Sequence, residues 1–238
     1  MIKGKRKPNL AVVLLAGGKG ERMGGRYKQF LKIKEKPLLF FSLDKLIGIK
    51  NIESIVVVAP REKLPYASSI ISREYSDKRI SVISGGSTRR ESTFRALDFL
   101  KNSRKKFTPD YVIFHDAARP FLSLKMIQAV CTEAVRSGAA VVGIKSPDLV
   151  LELRGGFVHK AMDKENSILG HTPQCFKFKD ILAAHEMAAK NKVNFLEDNI
   201  EILKKSNPKV KIKVVEGFYP NLKVTFNQDI KMISSFLL

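Results

Sequence analysis

Apolar residues recur along this chain in two rhythms. Short β-branched runs have the length and composition of strands: Leu10 to Leu15, Ser54 to Ala59, Arg79 to Ile83, Tyr111 to His115, Ala139 to Ile144 and Lys211 to Val215. Amphipathic segments of helical length lie between and after them: Leu38 to Ile47, opened by Pro37; Arg89 to Lys101; a helix capped by Ser123 and ended by Gly138; Phe178 to Lys190; Glu197 to Lys205; and a last helix that Asn227 can cap. Strands in alternation with such helices predict an α/β fold, a Rossmann-like, mostly parallel sheet with helices on both faces. A single domain over residues 8–238 is expected, with no internal repeat.

The alternation lapses between Ser146 and His171. Two short apolar stretches, Leu149 to Leu153 and Phe157 to Val158, flank Arg154, Gly155 and Gly156, which reads as a hairpin with a tight turn. A protruding β-arm over residues 146–171 is therefore predicted. Apolar residues on a projecting hairpin need cover, so the arm is expected to make a homodimer.

Composition narrows the classes. With 44% hydrophobic and 28% charged residues and no low-complexity tract, the chain is neither disordered nor collagen-like. No apolar run approaches the roughly 20 residues of a membrane span, so no membrane partner is expected. Basic residues up to Lys7 followed by Leu10 to Ala16 imitate a secretory leader, but the apolar stretch is short and runs straight into Gly17. Together with Cys131 and Cys175, which sit in apolar patterns as reduced thiols would, this predicts a cytoplasmic protein.

Charge adds one demand. Forty-three Lys and Arg against 23 Asp and Glu leave a net charge of +20, which attracts nucleic acid, acidic membrane or a phosphate-rich substrate, unless it is spread over solvated faces. Lys3, Lys5, Arg6 and Lys7 lead the chain, and Arg104, Lys105 and Lys106 fill a loop. Lys209, Lys211 and Lys213 alternate with apolar residues as a solvent face should. No basic stretch is interleaved with aromatics and no nucleic-acid module is recognised, so nucleic acid is not expected as a partner.

The strongest chemical signal follows the first strand: Ala16, Gly17, Gly18, Lys19, Gly20, Glu21, Arg22 and Met23. Glycines there let the backbone wrap a phosphate with N–H groups aimed at it, although tight turns without ligands are as common. The Walker pattern is absent, and the dinucleotide G-x-G-x-x-G is broken by Arg22 and Met23. Arg22 and Lys28 lie six residues apart with Gly24 and Gly25 between them. Two cations on such a loop suit an α-phosphorus under attack, where negative charge gathers in the transition state.

The run Ala16 to Arg22 with Lys28, Gln29 and Phe30 resembles the signature of the sugar- and polyol-phosphate cytidylyltransferases, above all those acting on 2-C-methyl-D-erythritol 4-phosphate. Further matches follow in order: Gly85, Gly86, Arg89, Glu91 and Ser92; His115 to Pro120; Thr172, Pro173, Gln174 and Phe176; Asn221 to Thr225. The resemblance implies transfer of CMP from CTP to a small sugar or polyol phosphate with Mg²⁺ as cofactor. It implies Arg22 and Lys28 as catalytic residues and Ala16, Gly17, Gly18, Gly20, Gly86, Ser92 and Lys223 as the CTP site. Asp116, Arg119 and Lys164 would bind the acceptor, Asp116 also the metal. Asp116 ends a buried strand, where open α/β sheets place ligands; a helix cap or loop-internal hydrogen bond is the alternative. His115, pointing to the other face of that strand, reads as structural.

Four departures from the family pattern touch the loop and the acceptor side. Tyr27 stands where a proline is usual, in a loop one residue shorter; Leu149 follows Asp148 where threonine is common; Lys164 replaces an arginine; and Leu196, Glu197 and Asp198 stand where a threonine–acid pair is expected. Ribitol 5-phosphate or another polyol phosphate is therefore an alternative acceptor. A nucleic-acid-binding protein or an inactive nucleotide-binding scaffold are the alternatives to an enzyme.

Overall fold

The computed structural model describes residues 6–103, 107–191 and 198–236. Its strands are β1 (Leu10–Leu15), β2 (Lys32–Ile33), β3 (Lys36–Pro37), β4 (Ile52–Ala59), β5 (Ile80–Ser84), β6 (Tyr111–Asp116), β7 (Ala139–Lys145), β8 (Leu151–Arg154), β9 (Phe157–Ala161), β10 (Ile168–Lys177) and β11 (Lys213–Glu216). Its helices are α1 (Leu38–Ile47), α2 (Leu64–Glu74), α3 (Arg89–Lys101), α4 (Leu124–Ser137), α5 (Phe178–Lys190), α6 (Asn199–Ser206) and α7 (Asn227–Phe236). Seven strands form one sheet in the order β11-β7-β10-β6-β1-β4-β5, parallel throughout except for β10.

Alternation along β1 shows how the layers are built. Leu10, Val12 and Leu14 point into one core with α1, α2 and α4. Ala11 and Val13 point into the other with α3, α5 and α6. A strand apolar on both faces must be covered on both, and crossover helices supply the cover. Local chemistry sets the helix ends: Thr88 and Ser123 accept from the N–H groups of Glu91 and Met126 in the first turns of α3 and α4, and Gly138 closes α4 in the left-handed region at φ 90°.

Four elements were not among the expected ones: the two-residue strands β2 and β3, helix α2 and strand β10. Helix α2 buries only Ala67 and Ile71. Strand β10 runs antiparallel between β6 and β7 and carries Pro173 in its interior, which normally argues against a central strand. The proline is tolerated because the register shifts between His171 and Gln174, taking residue 173 out of the ladder.

The arm is the two-stranded ribbon β8–β9, turned by Gly155 and Gly156 at φ 56° and 85°. Its expected span of 146–171 is too long at the far end, because 168–171 pair with β7 in the main sheet. The expected helix from Glu197 begins instead at Asn199, with Asp198 as its cap; Leu196 and Glu197 lie outside the described residues, as do Lys3, Lys5, Arg104, Lys105 and Lys106. Among the described residues, no helix is long and apolar enough to cross a membrane.

Candidate active site

At the carboxyl ends of β1 and β6 a cavity of about 400 Å³ opens, lined by the glycine loop, the start of α3, Asp116, Lys223 and Thr225. This is the edge of an open α/β sheet where strand ends leave a crevice. The first wall is the loop after β1. Gln29, nearly fully buried, donates its amide to the carbonyl oxygens of Ala16 at 2.6 Å and Gly18 at 3.1 Å. Among the described residues, the main-chain N–H groups of Gly17 to Gly20 make no hydrogen bond within the protein, so they are free for an anion. Gly20 sits at φ 68°, and a Cβ there would overlap the Arg26 carbonyl oxygen; glycine is required.

Met23, buried against Leu38, Ala118, Val224 and Ile233, pins the middle of the loop. Arg22 and Lys28 leave it on the cavity side. The Arg22 guanidinium lies 5.6 Å from the centroid of the Phe226 ring, an orientation device the sequence reading did not find. Burial, with Lys223 and Arg22 close by, pulls the Lys28 ammonium down to about 8 against the opposing pull of Asp116 and Asp229.

The second wall is built on Asp116. One of its oxygens lies 2.9 Å from Lys223 Nζ and 3.5 Å from Arg119 Nε; the other is 3.5 Å from Arg89. Burial alone would push this carboxyl up, but Lys223, Arg89 and Arg119 outweigh it and hold it well below the usual carboxylate range. Lys223 is delivered by a main-chain hydrogen bond from the neighbouring Val224 N–H to the Ala118 carbonyl.

Behind Asp116 is a dry scaffold. The Thr172 hydroxyl accepts from the Asp116 N–H at 3.1 Å and contacts His115 Nδ1 at 3.1 Å, while His115 Nε2 meets the Arg119 carbonyl at 3.1 Å. One assignment satisfies all three: Thr172 donates to Nδ1, and Nε2 carries the proton. Burial lowers His115 to about 4, so it stays neutral, in keeping with the structural role expected of it.

The residues expected in the CTP site and the catalytic pair, Ala16, Gly17, Gly18, Gly20, Arg22, Lys28, Gly86, Ser92 and Lys223, all line the one cavity, together with Asp116, expected for the acceptor and the metal. Ser92 is also a brace, its hydroxyl accepting from the Gly86 N–H at 3.0 Å. Two expected acceptor residues do not line it. Arg119 is buried and donates to the Asn221 carbonyl at 2.8 Å, which ties down the segment before Lys223. Lys164 is exposed at the base of the arm, donating to the Pro147 carbonyl.

Arg89 stood in the recognised motif without a role; the structure sets it between two carboxylates, Asp116 at 3.5 Å and Asp198 at 3.2 Å. The chain continues through Gln174, within 3.3 Å of Asp198, to Asn199 and the buried His185. Its members are separated by up to 110 positions, so no local signal could join them.

Among the described residues, no three His, Cys, Asp or Glu side chains cluster as a metal cage. A single buried carboxylate fits Mg²⁺ only in company with phosphate oxygens and water, the usual arrangement for this ion on nucleotides.

A crevice at the strand ends whose cations and free amides outnumber its acids defines a nucleotide-binding α/β protein built for a polyphosphate and suited to nucleotidyl transfer. Comparison gives the family: the model described as IspD, 2-C-methyl-D-erythritol 4-phosphate cytidylyltransferase, matches residues 10–238, and the chain belongs to that family of CTP-dependent enzymes of isoprenoid biosynthesis. The 2-C-methyl-D-erythritol 4-phosphate cytidylyltransferase of Clostridium botulinum is 32% identical over 222 residues, covering 92% of this chain and 93% of the relative. That of Clostridium perfringens is 31% identical over 229 residues, covering 94% and 97%. Among solved structures, the cytidylyltransferase of Francisella tularensis superposes with a TM-score of 0.78 at 25% identity, covering 97% of this chain and 100% of that one. The 4-diphosphocytidyl-2C-methyl-D-erythritol synthase of Anaerococcus prevotii, at 24% identity, shares the fold with a TM-score of 0.80 over 97% and 98%.

Proposed function

We propose that this chain transfers CMP from CTP to 2-C-methyl-D-erythritol 4-phosphate in the crevice described above. A phosphate oxygen of the acceptor attacks the α-phosphorus; the new P–O bond forms as the bond to the bridging oxygen breaks, and pyrophosphate leaves with that electron pair. The attacking monoester oxygen is already ionised near neutral pH, so no general base is needed. Arg22 and Lys28 stabilise the charge that gathers on the five-coordinate phosphorus, and the amides of Gly17 to Gly20 hold the triphosphate. Gly86 and Ser92 border the base and ribose, where a side chain at 86 would collide with Glu91. Lys223 pairs with Asp116 in the free protein and passes to the triphosphate when nucleotide binds. Mg²⁺, held by Asp116 with phosphate oxygens, would neutralise charge on the leaving group.

The observation that carries this reading is the gathering of Arg22, Lys28, Lys223 and the glycine loop around one cavity beside Asp116. The test is a panel assay of pyrophosphate release from CTP with Mg²⁺ and several polyol phosphates. Release is expected only with acceptor present, and fastest with 2-C-methyl-D-erythritol 4-phosphate; a preference for ribitol 5-phosphate would reassign the acceptor.

The arm supports assembly of two copies. Leu153, Phe157 and Val158 are 59%, 80% and 62% exposed, an apolar ribbon that needs a partner surface. In a homodimer through this ribbon, Lys164, which lies outside its own crevice, serves the acceptor phosphate of the second copy. Sedimentation of the full chain tests the dimer.

A further inference from the structure

We propose that Tyr27 and Glu62 form a latch that positions the loop bearing Arg22 and Lys28, which makes Tyr27 a positioning residue for the transfer; its role in turnover rests on the cytidylyltransferase reading above. The need for a latch follows from the loop's own backbone. Gly20, Gly24 and Gly25 take φ of 68°, 68° and 79°, and glycine is the least restrained residue in a chain. Met23 anchors the loop before this stretch and Gln29 after it, but Gly24, Gly25 and Arg26 between them are exposed. Tyr27 closes that gap, immediately before Lys28.

Its side chain is held from three sides. The hydroxyl donates to Glu62 Oε1 at 2.6 Å, Lys63 Nζ lies 5.3 Å from the ring centroid, and the Phe30 ring stands 6.5 Å away. Glu62 and Lys63 form a short 3₁₀ turn directly after Pro60 and β4 and lead into α2, whose Tyr66 ring meets Phe30 edge-on at 5.3 Å. The platform is therefore the turn that joins β4 to α2. A short hydrogen bond to a carboxylate is among the stronger ones available at a surface, and it acts one residue from the catalytic ammonium. The mutual bond shows in both partners, raising Tyr27 and lowering Glu62 from their ordinary values. Tyr27 itself has φ −71°, the angle a proline ring would impose, so the latch holds by side chain a geometry that can also be held by covalent restraint.

The test uses the full chain with Tyr27→Phe, Glu62→Ala, Glu62→Gln, Tyr27→Pro and the double variant Tyr27→Phe/Glu62→Ala. Two readouts are taken: pyrophosphate release, and the rate of tryptic cleavage after Arg22 and Arg26. Tyr27→Phe and Glu62→Ala are each expected to lower kcat about 5-fold with KM for CTP changed less than 2-fold, and to speed cleavage by a similar factor. The double variant should be no worse than either single one. Glu62→Gln, whose amide oxygen still accepts, and Tyr27→Pro, which fixes the same φ, should each recover most of the rate. The latch is overturned if both single variants keep kcat within 2-fold of the parent and are cleaved no faster, or if their effects multiply in the double variant. An inactive parent protein would instead overturn the transfer reading, and cleavage would still decide whether the latch orders the loop.

Discussion

The crevice and the arm are built on opposite plans. Around Asp116 the charges of Lys223, Arg89 and Arg119 are buried or half-buried and paired with its carboxylate, and the scaffold beneath it is closed by Thr172, His115 and Asn221. The arm shows Phe157 and Val158 to solvent on a two-stranded ribbon. The charge pairs of the first close within a single chain, because its polar groups find partners across the sheet. The second can be completed only from outside, because two strands cannot cover their own apolar residues. Chemistry is thus expected to respond to changes in the crevice without a change in assembly, and assembly to changes in the arm without loss of nucleotide binding.

The largest effect should come from the loop cations. Arg22→Ala or Lys28→Ala is expected to lower kcat by about 10²- to 10³-fold, since each removes a donor aimed at developing charge, while the melting temperature moves little because neither side chain is in a core. Pyrophosphate release and thermal unfolding, measured on one preparation, would separate the two; survival of kcat within a few-fold would remove these residues from the mechanism.

Next in size is a change of assembly. Phe157→Glu places a charge at the tip of the exposed ribbon, beside its turn, and should convert a dimer to monomers by sedimentation, while CTP affinity stays within about 2-fold, because Phe157 does not line the crevice. Loss of CTP binding in that variant would mean the two regions are not independent.

A pH effect of about tenfold per unit should follow from Lys28. Its ammonium in the free protein titrates at about 8, so it is charged below that value and neutral above it. CTP affinity should therefore fall as pH rises past 8, by up to a factor of about ten per unit. Bound triphosphate favours the charged form, so the alkaline limb of kcat should lie above that of kcat/KM. Calorimetric titration of CTP across pH 7 to 9 checks it, and Lys28→Arg, which keeps its charge, should flatten the profile.

The smallest effect concerns Asp198. Asparagine caps a helix as well as aspartate does, so Asp198→Asn keeps the start of α6 but removes the ion pair with Arg89. A loss of about 3-fold in kcat/KM with an unchanged melting temperature is expected, about the scale of one partly exposed pair. A clear drop in melting temperature would show that Asp198 serves stability rather than the placement of Arg89.

Helices such as Arg89 to Lys101 and Phe178 to Lys190 appear where their periodicity places them, and the hairpin turns where Arg154, Gly155 and Gly156 stand. So does the glycine loop with its two cations. These features are written in residues a few positions apart, because capping, turn geometry and amphipathic spacing act within one or two turns of chain. Tertiary structure alone decided the rest. It inserted β10 between β6 and β7, set Arg89 between Asp116 and Asp198, stacked Arg22 on Phe226 and joined Tyr27 to Glu62. Each of these joins segments distant in sequence, and which distant segments meet is settled by the order of strands in the sheet, a property of the whole packed chain.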